Sequence, residues 1–300
     1  MTAEAEPEEG PDLDEAPEGA AAEDLRWLTV TPPEGAPWDL PCPETPWVFL
    51  DCEMTGVDAS RDEIIEVAAV RTRGGREEAS LSTLLRAGVE SSPEALAAHG
   101  IDDAMLRDAP SFGDIGEELA LLLDGAVPVL HGAAMDRVFL NQAFEAHGLD
   151  ARLRQVVDTV HLARRAVLSN SYKLGVIAER LGVAPRQWHR AHEDVQAIRG
   201  VFERVSALLS PTSARDLWQV RAGVRLPTQV RDTVAVALSR RDGRPVAIWL
   251  RQPGRAPRRV IGRIIRWEPP HLTLGLGASG RHRGVSIIRA DRVLRVEPVA

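Results

Sequence analysis

The sequence predicts an α/β fold, a mixed five-stranded sheet with helices on both faces, plus a small C-terminal β-barrel-like domain. Three observations predict it. Strand-like runs at about 47–53, 63–71 and 78–86 open the regular part of the chain, the last two separated by the turn signal Gly74-Gly75. Helical and strand-like periods then alternate to about residue 210, the pattern of a mixed sheet between helical layers. Past Pro211 the chain changes to short, closely spaced β-rich runs, which suits a small barrel.

In order along the chain, residues 1–24 are mostly Glu, Ala, Pro and Gly, with little to bury, and read as a disordered acidic tail. Residues 25–46, "LRWLTVTPPEGAPWDLPCPETP", are divided by prolines into extended or turn segments and read as a linker or strap. Residues 47–210 form the α/β domain. Within it "SPEALAAHG" has Ser92 as cap, Pro93 at the first helical position and Gly100 as stop. "FGDIGEELALLLDG" is an amphipathic helix ended by Gly125, "VPVLHG" a short buried strand, "AMDRVFLNQAFEAHG" a helix, "QVVD" a strand and "EDVQAIRGVFERVSALL" a closing helix. Residues 211–300 contribute "TVAVALS", "PVAIWL", "RRVIGRIIRW", "HLTLGL", "GVSIIR" and "RVLRVEP", with Asp242-Gly243 as a hairpin signal between the first two.

Composition narrows the function classes. The start of the chain, "MTAEAEPEEG", lacks a basic segment followed by an apolar stretch, and no apolar run nears the roughly 18 residues of a membrane span. The expectation is a cytoplasmic protein with no membrane partner. Cys42 and Cys52 are the only cysteines, too few for a disulfide framework or a Cys-rich zinc site. A bound metal should therefore have oxygen ligands. The net charge of −8 is unevenly spread: −12 over residues 1–46, −8 over 47–210 and +12 over 211–300. A small basic β-rich unit suits a phosphate backbone, and its Trp249 and Trp267 are candidates either for stacking on bases or for the core.

The chemistry begins in "VFLDCEMTGVD". Strand alternation sends Asp51 and Glu53 to one face and Cys52 to the other. Two like charges at the edge of a core either share a proton or wait for a cation. Further acids lie where the chain should return to this place: Asp136 at a helix start after a strand end, and Asp194 at the start of the closing helix. Each alone reads as a helix cap.

Taken together, these motifs make residues 47–208 resemble the DEDDh 3′–5′ exonucleases, in particular the proofreading-subunit (epsilon) type related to bacterial DNA polymerase III. Asp51 and Glu53 match the family's Asp-x-Glu, "HGAAMD" matches its second motif and ends in Asp136, and "HRAHED" matches His-x4-Asp with His189 and Asp194. "PEALAAHGI" is similar to the family's substrate-contacting segment, which brings in Glu94 and His99. Met54 and Thr55 follow the first motif, where the family wedges and hydrogen-bonds the terminal nucleotide. Tyr172 aligns with a family position and equally suits packing at a helix start. The resemblance implies a ribonuclease H-like fold.

It also implies a metal-dependent 3′–5′ exonuclease that releases nucleoside monophosphates from single-stranded or frayed DNA 3′ ends. Asp51, Glu53, Asp136 and Asp194 would hold two Mg²⁺ ions, with Mn²⁺ as substitute, about 3.5–4 Å apart in such sites. His189 would be the base that takes a proton from water; the family spacing selects it over His192. Cys52 and Glu66 read as structural. Met54, where the epsilon type has Thr, is similar to oligoribonucleases and keeps an RNA exonuclease as the alternative. Gly132 and Met135 stand where the family usually has Asn and Phe, which keeps a non-cleaving nucleic-acid-binding scaffold as the second alternative. A DNA polymerase is a possible partner, although no clamp motif stands out.

Overall fold

The computed structural model describes residues 32–167, 169, 171–185, 188–222, 234, 244–252, 255–268, 271–276, 284–289 and 292–299. The expected acidic tail and the Asp242-Gly243 hairpin lie outside these residues. So does the strand expected over 233–239, apart from Val234, which is helical and buried.

Three antiparallel strands come first: β1 (Trp47–Met54), β2 (Ile64–Arg73) and β3 (Arg76–Leu84). They are followed by α1 (Pro93–His99), α2 (Asp103–Leu106), α3 (Phe112–Leu123), β4 (Val127–Leu130) and α4 (Ala134–Ala146). The rest of the unit is β5 (Val157–Asp158), α5 (Thr159–Ala166), α6 (Leu174–Leu181), α7 (Ala191–Leu209) and α8 (Ala214–Ala222). The strand order is β3-β2-β1-β4-β5, with β4 parallel to β1 and β5 parallel to β4. Local chemistry sets the helix ends as expected for α1: Ser92 accepts the Ala95 N–H at 3.1 Å, Pro93 occupies the first turn, and Gly100 adopts a left-handed conformation at φ 68°.

The period-two pattern of β1 separates two cores. Trp47 and Phe49 face one core, shared with α5, α6, α7 and α8, while Val48, Leu50 and Cys52 face the other, under α3 and α4. Side chains fully buried here, such as Phe49, Phe144 and Leu119, each contribute about 1.5–3 kcal/mol relative to exposure. Phe202 of α7 docks that helix on β1, with ring centroids 4.8 Å from Trp47 and 5.4 Å from Phe49.

The segment before β1 is a strap on this core. Trp38 is buried in it, Cys42 N–H donates to the Thr212 carbonyl at 3.1 Å, and Arg215 of α8 donates to Pro32 O and pairs with Asp39. Ala214, Leu217, Trp218 and Val220 of α8 join the same core.

The C-terminal region adds β6 (Val246–Gln252), β7 (Arg255–Glu268), β8 (His271–Leu276), β9 (Gly284–Arg289) and β10 (Val293–Pro298), all antiparallel, in the order β10-β6-β7-β8-β9. The small β-barrel-like unit expected here is a five-stranded antiparallel sheet, and among the described residues β9 and β10 do not pair. The long β7 explains the shape, because its first part, to Gly262, pairs with β6 and its second, from Arg263, with β8, where the ladder is irregular at Ile264/Arg266. Ile288 from one edge strand and Val293 and Val296 from the other share one core cluster, so the sheet curves without closing.

No helix among the described residues is long and apolar enough to cross a membrane.

Candidate active site

Two lengths bring the carboxylates together. From Phe49 to Glu53 is four strand residues, about 13 Å, and from Phe202 back to Asp194 is eight helical residues, about 12 Å. With Phe202 anchored on Phe49, α7 delivers Asp194 level with Glu53. Glu53, His189 and Asp194 each offer a ligand atom, and these atoms lie within 4.8 Å of one another. Asp136 arrives from the first turn of α4, and its Oδ1 accepts the Cys52 N–H at 3.1 Å. Asp51 shares the electrostatic environment of Asp136, Glu53 and Asp194. Four acids from three separate stretches of the chain thus approach the end of β1, with Asp51 and Asp136 beside the three-residue cluster and not in it.

Their titration reflects the crowding. Burial, then Asp136 and Glu53, push the Asp51 carboxyl well above its usual range. Burial, then Asp194 and Asp136, raise Glu53 to about 8. Asp136 is raised to about 7, chiefly by burial and against the Cys52 hydrogen bond, and Asp194 to about 6, chiefly by burial and against His189. Asp194 Oδ1 is buried without a hydrogen-bond partner. Crowded hard oxygens with an unsatisfied buried lone pair fit a divalent cation, which would offset the repulsion that now favours protons.

His189 is exposed, with a left-handed backbone at φ 59°, and its backbone N–H donates to Asp194 Oδ2 at 3.2 Å. A non-glycine residue is rarely held there unless its neighbours fix it. His192 lies in the first turn of α7 and is not one of the three clustered residues.

The remaining expected residues divide. Met54 is half-buried beside the acids, and Glu94 is exposed on α1. His99 is buried, and its Nδ1 accepts the Ile101 N–H at 2.9 Å. Burial holds its pKa below the usual range, against a hydrogen bond between the ring and the Met54 backbone. Thr55 is fully buried, and its hydroxyl donates to Asp62 at 3.1 Å and accepts the Glu63 N–H at 3.0 Å. Its hydroxyl ties the 55–63 loop together. Tyr172 donates to Val167 O, and its carbonyl lies 2.8 Å from His131 Nε2.

Gly132 has φ 74°. The left-handed region is the one that Asn and Gly both tolerate, so glycine in place of the family's asparagine keeps the backbone path. Sequence reasoning missed the residue that holds this turn. Asp158, 2% exposed, accepts N–H groups from Gly132 at 3.1 Å, Ala133 at 3.0 Å and Val160 at 2.9 Å. An acid closing the strand "QVVD" before a helix was the available signal. Glu66, read as structural, is also bound closely to the site through the start of α7.

The chain is similar to known proteins in sequence and in fold. The chain is 35% identical over 159 residues to the DNA polymerase III PolC-type of Thermotoga maritima, covering 53% of this chain and 12% of that one. It is 30% identical over 167 residues to the 3′-5′ exonuclease DinG of Staphylococcus saprophyticus, covering 54% and 19%. The chain therefore spans less than a fifth of the length of these curated relatives. Among solved structures, the zinc-bound E. coli ExoI–ssDNA complex matches in fold with a TM-score of 0.55 at 12% identity, over 85% of this chain and 64% of that one. Exonuclease I from Methylocaldum szegediense gives 0.52 at 13% identity, over 85% and 65%. The RNase_T model, described as exonuclease, matches residues 48–202, just over half of the sequence, and the chain belongs to this exonuclease family.

Proposed function

We propose that the chain is a metal-dependent 3′–5′ exonuclease that releases nucleoside monophosphates from single-stranded or frayed DNA 3′ ends. The observation that carries the reading is the meeting of Glu53, His189 and Asp194 within 4.8 Å, beside an Asp136 hydrogen-bonded to β1. Asp51, Glu53, Asp136 and Asp194 would hold two Mg²⁺ ions, with Mn²⁺ able to substitute. Bound there, the ions would supply charge relief at the phosphate and make water acidic enough to attack at neutral pH. His189, exposed at the rim, takes the proton from the attacking water. Met54, Thr55, Glu94 and His99 line the approach of the terminal nucleotide.

The C-terminal sheet supports a second contact with the strand. Trp249 of β6 lies under the guanidinium groups of Arg259, 5.4 Å away, and Arg295, 4.6 Å away. Ile261 and Ile265 are exposed on β7. Arginine beside exposed apolar and aromatic surface suits the backbone and bases of single strands. We further propose residues 47–210, with α8 packed on them, as the cleaving unit, the C-terminal sheet as the basic one, a cytoplasmic setting, and a DNA polymerase as a candidate partner.

Incubating 5′-labelled DNA and RNA oligonucleotides with Mg²⁺, Mn²⁺ or chelator, beside Asp51→Ala, tests the reading. A ladder shortened from the 3′ end of DNA, lost with chelator and in the variant, is expected. A ladder on RNA alone would favour the RNA exonuclease that Met54 suggests. Binding without cleavage would favour a scaffold.

A further inference from the structure

Glu66 sits opposite Glu53 in the β1–β2 ladder, so it points to the same face of the sheet as the proposed cation ligands. It is 3% exposed. A fifth carboxylate there should worsen the repulsion, yet both its oxygens are engaged elsewhere. Oε1 accepts Arg190 Nη2 at 2.8 Å and Nε at 3.2 Å, and Oε2 accepts Arg190 Nε at 3.2 Å and the Ala191 N–H at 3.0 Å. Ala191 is the first residue of α7, and Arg190, at its cap position, has no capping side-chain hydrogen bond of its own. Glu66 thus caps α7 from another element, satisfying an open N–H at the positive end of the helix. The fork of arginine fits this carboxylate in a way that lysine cannot.

The pinned residues directly follow His189. Its left-handed backbone is held on one side by Asp194 Oδ2 and on the other by the tethered Arg190-Ala191 pair. We propose that Glu66 and Arg190 are a positioning pair: without ligating a cation, they fix the start of α7 so that the His189 imidazole and the Asp194 carboxylate meet Glu53. This rests on the exonuclease reading above and adds to it the device that aligns the site.

The test compares Glu66→Gln and Arg190→Lys in the full-length protein, each alone and combined with His189→Ala. Misplacement of about 1 Å can cost about a hundredfold in rate. In the otherwise unchanged protein, kcat should fall about 10- to 100-fold while KM for a single-stranded oligonucleotide changes less than about threefold. In the His189→Ala background the same substitutions should lower kcat by a clearly smaller factor than in the parent, because one of the two residues they position is gone while Asp194 is still displaced. Equal losses in both backgrounds, unchanged kcat, or a loss carried by KM would overturn the proposal. Arg190→Lys, which keeps the charge, stands in should Glu66→Gln fail to fold, and circular dichroism checks each. If His189→Ala itself leaves activity intact, the exonuclease reading of His189 fails; if only Glu66→Gln and Arg190→Lys are silent, the positioning pair alone fails.

Discussion

The carboxylate of Asp136 accepts the backbone N–H of Cys52 at 3.1 Å, joining the first turn of α4 to the strand between Asp51 and Glu53. The bond fixes a third acid beside two others, and Asp194 completes the group from α7. Such a set is costly to the folded protein alone, and its behaviour can be measured.

Replacing Asp51 by Asn removes one crowded, desolvated charge while keeping the shape. The cation-free protein should gain about 1–2 kcal/mol of stability at pH 8, while cleavage falls at least a hundredfold, on the order of a lost ligand shell. Denaturant unfolding in chelator and a labelled-oligonucleotide assay read the two effects. A variant less stable than the parent would count against the crowding argument.

The pH dependence follows from the direction of the shifts. Glu53, Asp136 and Asp194 are raised to about 8, 7 and 6, from an unfolded range near 4. Between those limits these three groups bind more protons in the folded chain than in the unfolded one, so the stability they contribute in chelator is full below about pH 4 and is lost as pH rises toward 8. Divalent cations should reverse the trend and release protons on binding. Thermal melts with and without Mg²⁺ at several pH values check this, and stability in chelator that climbs with pH over this window is the contrary result.

His189→Ala should lower kcat by about 10²- to 10⁴-fold, the usual range for a general base, with little change in KM. Single-turnover kinetics at saturating oligonucleotide separate this from weakened binding. His192→Ala should stay near the parent; the opposite ranking would move the base role to His192.

Asp158→Ala strands three backbone donors and should destabilise the fold by about 3 kcal/mol. Asp158→Asn keeps an acceptor and should cost less. Equal stability of Asp158→Ala and parent in urea would mean that the turn at Gly132 is held by something else.

A chain ending at Ala222 keeps α8 on its core and removes the basic sheet. Its binding to single-stranded DNA should show a shallower dependence of log K on log salt, by roughly 0.7 per lost phosphate contact. Fluorescence anisotropy across a salt series would detect an unchanged slope, which would deny the sheet a role in binding.

The elements with the strongest periods were legible in the sequence. β1 to β5, α1, α3, α4 and α7 appear where alternation, caps and glycine stops put them, and the alternation in β1 correctly divided Asp51 and Glu53 from Cys52. α8 was hidden because "ARDLWQVRA" follows a proline and opens a basic, β-rich region. Its buried Leu217 and Trp218 find their core only with α5, α7 and the strap residue Trp38, contacts no local pattern reveals. Glu66 was passed over for a similar reason. A lone acid in "IIEVAAV" gives no sign that Arg190, far along the chain, will take both its oxygens. Barrel closure was equally beyond reach, since it depends on pairing between the two edge strands and not on strand count.

The most direct test is anomalous diffraction from crystals grown with Mn²⁺ and a nucleoside 5′-monophosphate. The account predicts two Mn²⁺ peaks among the carboxylates of Asp51, Glu53, Asp136 and Asp194, with the phosphate against them. Manganese absent from these four side chains, or bound only elsewhere, would contradict it.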